Sequence, residues 1–474
     1  MANIIGRIRE QHVLNQIVDS EKPEFVAVFG RRRVGKTFLV REYFKHRFAF
    51  YFSGVENVQK KQQLKNFNTA LYQYGKQHYP QVNSWFDAFM QLTQMLEKTK
   101  KRGRKVIFID ELPWLDTPRS NFIQALEYFW NTWASANPDI MLIVCGSSTS
   151  WMINKLIKNR GGLHNRVTRQ IPLEPLTLQE CEEFLKQNKI VFNRYQIVEC
   201  YMTMGGIPYY LEQLDKSFSL SQNIDNLFFK ENGVLRLEFM KLYSSLFKHP
   251  DRYMKIIEAL GKKRKGLTRD ELIAASGYTD GGTMSKMLEE LEQCCLIRSY
   301  NTYDKRVKDR LYQLIDFYSL FYLNFIRNAR KTDEHFWTNL LNNPQRRAWC
   351  GYAFEQVCMQ HAAQIRQKLG ISGVVTYSAA WRSNNSEPAA QVDLLIDRND
   401  GIINLCEIKY SENKFVIDKK QDENLRNKKS AFVSETKTRK AVHITMITTY
   451  GVKRNEYWGN IQSEVTLDDL FAKR

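Results

Sequence analysis

Residues 30–37 read Gly-Arg-Arg-Arg-Val-Gly-Lys-Thr, two glycines followed at once by a lysine and a hydroxyl. Glycines let backbone N–H groups turn toward phosphate oxygens, an ammonium reaches the outer phosphates, and a hydroxyl joins a divalent cation. The spacing therefore fits a nucleoside triphosphate with Mg2+. Its candidate binding residues are Gly30, Arg31, Arg32, Arg33, Val34, Gly35, Lys36, Thr37 and Phe38, with Lys36 also catalytic and Thr37 a metal ligand. Residues 106–111, Val-Ile-Phe-Ile-Asp-Glu, place two carboxylates after four apolar residues. Phosphoryl transfer needs a held metal and a positioned nucleophile, so Asp110 is expected to hold Mg2+ and Glu111 to polarise the attacking water.

A second constellation lies in residues 391–409, two apolar runs around Asp400-Gly401 with Asp393 on the first and Glu407 and Lys409 on the second. This pattern predicts a hairpin, and strand alternation puts Glu407 and Lys409 on one face. Carboxylates side by side are costly unless a cation lies between them. Asp393 and Glu407 thus suit Mg2+ or Mn2+, with Lys409 placed to orient or activate water for attack on a phosphodiester. Charged residues on an exposed hairpin face are the plainer alternative.

These residues need elements to hold them. Phe25–Phe29, FVAVF, predicts a buried strand running into the glycine loop, and FLVREYF a helix leaving it. A further apolar run at 140–148, IMLIVCGSS, ends in Ser147 and Ser148. A strand there would bring a hydroxyl, with Ser148 the candidate, to the γ-phosphate side; simple strand termination accounts for the same serines. From Tyr253 the period shortens to helices, with Thr268 and Glu271 as a capping box, a turn at Gly277, and a third helix carrying Thr283, Ser285 and Lys286. Two short strands around a basic loop with Lys305, Arg306 and Lys308 follow. This order predicts a winged helix that binds DNA phosphates or packs between domains.

The first half resembles AAA+ and STAND-like prokaryotic ATPases, which implies ATP as the ligand. Gly6-Arg7 with Glu10 resembles that group's adenine-side box, and Gly162-Leu-His-Asn-Arg166 resembles the position of its γ-phosphate arginine, which makes Arg166 a catalytic candidate. Gly205-Gly206-Ile-Pro208 resembles the lid turn that packs over nucleotide, implicating Pro208. The segment after Cys145 lacks the family's arginine, and the three consecutive arginines 31–33 are unusual among glycine loops at large. The last quarter resembles the PD-(D/E)XK nucleases, with Val392 where the motif has proline. That resemblance implies Glu355, in the helix-like WCGYAFEQVCMQHA, as a third metal ligand. The whole order resembles prokaryotic ATPases bearing a C-terminal domain of unknown function.

The remaining features bound these readings. The 474 residues carry 43% hydrophobic and 26% charged side chains, so the chain is expected to fold throughout, in several domains. A net charge of +19 favours a polyanionic partner, DNA above all. Eight cysteines without CxxC pairs indicate reduced thiols in a cytoplasm, and no apolar run of the ~20 residues needed to span a bilayer is present. The expected architecture is α/β and multidomain: an ATPase core with a parallel sheet over residues 1–175, a helical lid over 176–245, a winged helix over 246–316, and a connector with an α/β nuclease-like domain over 317–474. The expected function is an ATP-dependent enzyme acting on DNA. Its rivals are a regulatory ATPase switch with a non-catalytic tail that binds DNA or protein, and an ATPase acting on protein partners; self-association or a protein partner is an expected further contact.

Overall fold

The computed structural model describes residues 4–99, 103–263, 265–301, 303, 310–330, 333–383 and 390–473. The wing lysines and arginine, Lys305, Arg306 and Lys308, lie outside the described residues. The chain divides into two compact units, Met1–Pro175 with Ser244–Lys248, and Leu176–Tyr243 with His249–Arg474.

In the first unit five parallel strands form one sheet: β1 (Glu24–Phe29), β2 (Phe50–Ser53), β3 (Lys105–Asp110), β4 (Ile140–Gly146) and β5 (Arg169–Pro172), in the order β2-β3-β4-β1-β5. Every residue of β1 and β4 is buried, which is why both read as unbroken apolar runs: helices cover both faces of such a sheet. The aromatic side of the core stacks Phe50, Phe67, Trp85, Phe89 and Phe122 between the sheet and the helices Lys60–Gly75, Trp85–Lys98 and Phe122–Thr132. Ser84 and Asp87 close a capping box that fixes where the second of these begins.

β1 lies between β4 and β5, and its last residue leads into Gly30, whose φ is +150°. A Cβ there would stand 2.2 Å from the Leu173 carbonyl oxygen, so only glycine lets the chain leave the strand at this angle. Gly35 also has a positive φ, +92°, but a Cβ on it would meet open space. Gly30→Ala is therefore expected to lower stability by ~1–3 kcal/mol or more through forced backbone displacement. Gly35→Ala should cost about 1 kcal/mol, the strain of a left-handed alanine. Thermal melts of the two variants check this; equal shifts would contradict the close approach at Gly30.

The second unit holds two sheets. Three short antiparallel strands, β6 (Leu267–Thr268), β7 (Ile297–Tyr300) and β8 (Leu311–Leu314), pair in the order β6-β8-β7 beside the helices Pro250–Lys262, Arg269–Ser276 and Gly282–Gln293. Thr268 and Glu271 form the capping box of the middle helix, and Gly277 ends it in a left-handed turn. A larger mixed sheet contains β9 (Thr376–Arg382), β10 (Gln391–Arg398), β11 (Ile402–Lys409), β12 (Ala441–Thr448) and β13 (Ser463–Thr466), in the order β13-β12-β11-β10-β9. β10 runs antiparallel to β9 and β11, whereas β11, β12 and β13 run parallel. The helix Pro344–Gln360 packs on β11, and the helix Lys419–Thr436 crosses from β11 to β12. Among the described residues no helix is long and apolar enough to cross a membrane.

Candidate nucleotide site and carboxylate cluster

The carboxyl ends of β1, β3 and β4 open on one crevice, the usual place for a ligand in a parallel sheet. Gly35 precedes the helix Lys36–Tyr43, so the loop's N–H groups and the helix N-terminus face the same space. Lys36 is 5% exposed, and its Nζ donates to the carbonyls of Gly30 at 3.0 Å and Arg31 at 2.9 Å. These loop contacts hold the ammonium where a phosphate oxygen would exchange for a carbonyl. Thr37 Oγ1 donates to Asp110 Oδ2 at 2.8 Å, so the hydroxyl and carboxylate that a Mg2+ complex would need are already adjacent. Carbonyl, hydroxyl and carboxylate oxygens are hard donors of the kind Mg2+ takes.

Glu111 follows β3 in a left-handed conformation, φ 47°. Its Oε2 accepts from the backbone N–H of Ser147 at 3.2 Å and from the Ser147 hydroxyl at 2.8 Å. Asp110 accepts the Glu111 N–H on Oδ1 at 2.9 Å and the Thr37 hydroxyl on Oδ2. The buried serine that touches Glu111 is thus Ser147; Ser148 is half-buried and begins the short helix Thr149–Trp151. Burial first, then Asp110, pushes the Cys145 thiol well up, which leaves it a neutral packing group.

The other proposed nucleotide residues fall on several elements. Arg7, in a left-handed conformation, donates to the Val34 carbonyl at 3.1 Å and pairs with Glu10 at 3.6 Å, and Gln11 donates to the Gly6 carbonyl at 2.7 Å. Arg31 is buried, Arg32 and Arg33 are half-buried, and Phe38 is 52% exposed. Arg166 is exposed on the turn before β5, where its N–H donates to the Leu163 carbonyl. Pro208 belongs to the second unit and opens the helix Pro208–Leu211. Just before it, Gly206 is left-handed, with room for no Cβ against the Leu176 carbonyl.

In the second unit, Asp393 on β10, Glu407 and Lys409 on β11, and Glu355 on the helix Pro344–Gln360 come within electrostatic reach of one another. Burial raises the Glu355 carboxyl to about 8, and the negative charges of Asp393 and Glu407 add to the rise against the pull of Lys409 and Lys265. Glu407 goes the other way: burial opposes its ionisation, but Lys428 and Lys409 hold it below the usual range. Lys409 Nζ lies 2.9 Å from Glu407 Oε1, and Lys428 Nζ 2.7 Å from Glu407 Oε2. The pairing of β10 with β9 shifts register between Val392 and Leu395, a bulge at the position of Asp393. Bulges re-aim the side chain they carry. Gln391 donates to Asp393, and Lys265 donates to Gln391, which links the loop before β6 to the cluster.

Among the described residues no three acidic, histidine or cysteine side chains converge into a ready-made metal cage. The donors have the right chemistry for Mg2+ or Mn2+, but both oxygens of Glu407 face lysines. Lys428 escapes sequence reading because it arrives on a separate helix, 21 residues beyond Glu407, in no fixed spacing. Ser147 escapes pairing with Glu111 for the same reason.

A family of ATPase domains predominantly from Archaea matches residues 5–214. The uncharacterized protein MJECL04 of Methanocaldococcus jannaschii is 25% identical over 412 residues, 86% of this chain and 88% of that protein. The Walker-type ATPase PABY2304 of Pyrococcus abyssi aligns with a TM-score of 0.47 at 16% identity, over 68% of this chain and 96% of that one. The Aeropyrum pernix ORC2 protein, solved as ADPNP-ADP complexes, aligns with a TM-score of 0.43 at 12% identity, over 69% and 96%.

Proposed function

We propose that this chain, whose N-terminal part is a P-loop ATP-binding ATPase domain of the AAA+ type, acts on DNA, its second unit carrying a metal-dependent nuclease-like centre. The observation that carries the proposal is the gathering of Glu355, Asp393 and Glu407 with Lys409 in one cluster beside two further lysines, Lys265 and Lys428. Three carboxylates suit a divalent cation, and the surrounding ammonium groups suit a phosphodiester. In this reading Asp393, Glu407 and Glu355 would hold the cation, which would supply Lewis acidity, and Lys409 would orient the water that attacks phosphorus as the bond to the leaving oxygen breaks.

The helix order around β6, β7 and β8 supports a winged helix, and Thr283, Ser285 and Lys286 are exposed on its third helix. With the +19 charge this favours contact with DNA phosphates. In the ATPase domain, Lys36 and Thr37 would hold the phosphates and Mg2+, Asp110 the metal, Glu111 the water, and Ser147 the Glu111 carboxylate. Arg166, exposed on the turn before β5, is the candidate for the arginine that would meet the γ-phosphate.

One observation favours a second reading. The lysines on both oxygens of Glu407 neutralise it without metal, as expected of a regulatory ATPase switch whose tail binds DNA but does not cut it. Incubation of linear, circular and branched DNA with the protein in Mg2+ or Mn2+, with and without ATP, separates the two. Metal-dependent cleavage is expected; salt-sensitive binding without any cleavage would establish the switch, and no salt-sensitive binding would remove DNA from both readings.

A further inference from the structure

A cavity of about 520 Å3 opens in the second unit between the helix Arg194–Met204, the helix Pro344–Gln360 and the chain that leaves β11, a size ordinary for a small-molecule site. Its wall holds an ion pair whose hydrogen bonding is incomplete. Arg346 and Glu199, 6% and 8% exposed, meet through Arg346 Nη2 and Glu199 Oε1, and the guanidinium lies over the Trp337 ring at 4.4 Å. Arg346 Nη1, also buried, has no oxygen or nitrogen acceptor among the described residues; the Cys350 thiol beside the guanidinium is a weak acceptor. A buried donor left unmet is costly, so an acceptor brought in by a ligand has something to gain there. Burial raises the Tyr195 hydroxyl and the Cys350 thiol to about 12, so both stay neutral. Arg347 and Glu412 are exposed at the edge of the cavity, and the two positive and two negative charges of the lining cancel.

A stack of three rings leads from this wall to the surface. Tyr410 lies 4.9 Å from Tyr195 with the planes 21° apart, and Tyr195 lies 5.8 Å from Tyr450 with the planes 14° apart. Tyr450, at the outer end, is 44% exposed. We propose, on the reading that the chain acts on DNA, that the cavity takes one unstacked nucleobase of an unpaired strand: Arg346 and Glu199 meet its polar edge, and the neighbouring base lies on Tyr450. Each nucleobase carries an acceptor next to an N–H on its pairing edge, and splayed bases are read along that edge. The acceptor completes Arg346 Nη1, and the N–H faces the Glu199 carboxylate. A lining without net charge suits an uncharged ring and leaves the phosphates outside, beside the exposed Arg347. An exposed aromatic face accepts any base, because every base has a π-face. Arg346 precedes Glu355 on the same helix by about 14 Å of rise, so this site is separate from the carboxylate cluster and needs no cation.

The test uses the full chain, without nucleotide and in a metal chelator, and follows binding by fluorescence anisotropy. A labelled single strand of mixed sequence is compared with a strand of equal length that is abasic throughout. The unaltered chain is expected to prefer the base-bearing strand by roughly tenfold or more. Arg346→Lys keeps a cation on Glu199 but loses the second terminal nitrogen, and Tyr450→Ala removes the platform at the surface. Each should reduce the preference several-fold while the abasic strand binds as before, and Tyr450→Phe should retain it. Loss of both strands in Arg346→Lys would mark a folding failure, and Tyr450→Ala then decides. A preference undiminished in both variants overturns the site. So does equal binding of the two strands by the unaltered chain, which leaves the DNA reading standing if that binding weakens with salt. A free nucleoside that binds in equilibrium dialysis, and is lost in Arg346→Lys, without any preference for the base-bearing strand overturns the strand as occupant. No salt-sensitive binding of single strands or duplex overturns the DNA reading and this inference together.

Discussion

Glu111→Gln is expected to leave ATP bound and to slow hydrolysis by ~10²–10⁴-fold, the range for loss of a positioned base. The amide keeps the shape of the side chain but cannot draw a proton from water. Binding should survive because Lys36, Thr37 and Asp110 form a separate network, joined through the Thr37–Asp110 contact at 2.8 Å, that Glu111 enters only through its N–H. Ser147→Ala tests the same carboxylate from the other side. It removes one of the two bonds holding Glu111 and, at ~0.5–1.5 kcal/mol per bond, should lower basal turnover by roughly two- to tenfold as the base loses its position. Phosphate release at saturating ATP and titration with a fluorescent ATP analogue check both. Turnover at the unaltered rate in Glu111→Gln would assign the water to another group.

Asp393→Asn is expected to abolish metal-dependent DNA cleavage, a loss of ~10³-fold or more, with DNA binding and ATP hydrolysis retained. The bulge between Val392 and Leu395 turns Asp393 out of the regular register, and Gln391 then holds it. Asparagine accepts the same hydrogen bond, so the fold has no cause to change, but the charge that a cation needs is gone. Comparison with Lys36→Ala shows whether cleavage depends on ATP. Cleavage undiminished in Asp393→Asn would locate the nuclease elsewhere or in a contaminant.

The parts of the fold legible in the sequence are those whose burial is complete. β1, β3 and β4 announce themselves because parallel strands covered on both faces carry apolar residues without interruption. β2 escapes notice: it has four residues, lies at the sheet edge, and alternates buried with half-buried. β9 escapes because it is an edge strand with only Trp381 fully buried. β12 escapes although it is central, since His443 and Thr445 interrupt its apolar run, Thr445 Oγ1 accepting from the Asn404 amide. In the site, the glycine loop is legible because its chemistry lies in consecutive residues. Ser147 on Glu111 and Lys428 on Glu407 are contacts between segments, and only the packing of strand against strand or helix against strand brings them together.

One feature of the first sheet bears on how the chain comes off the ribosome. β4 stands between β1 and β3, so the glycine loop that follows β1 and Asp110 at the end of β3 hang from strands that do not pair with each other. Until residues 140–146 have emerged and wedged between them, the glycine loop and its metal carboxylate have no common scaffold. Such non-local pairing is slow compared with helix formation. The crevice at the carboxyl ends of β1, β3 and β4 therefore takes shape only when β4 seats, a late step in the folding of this unit.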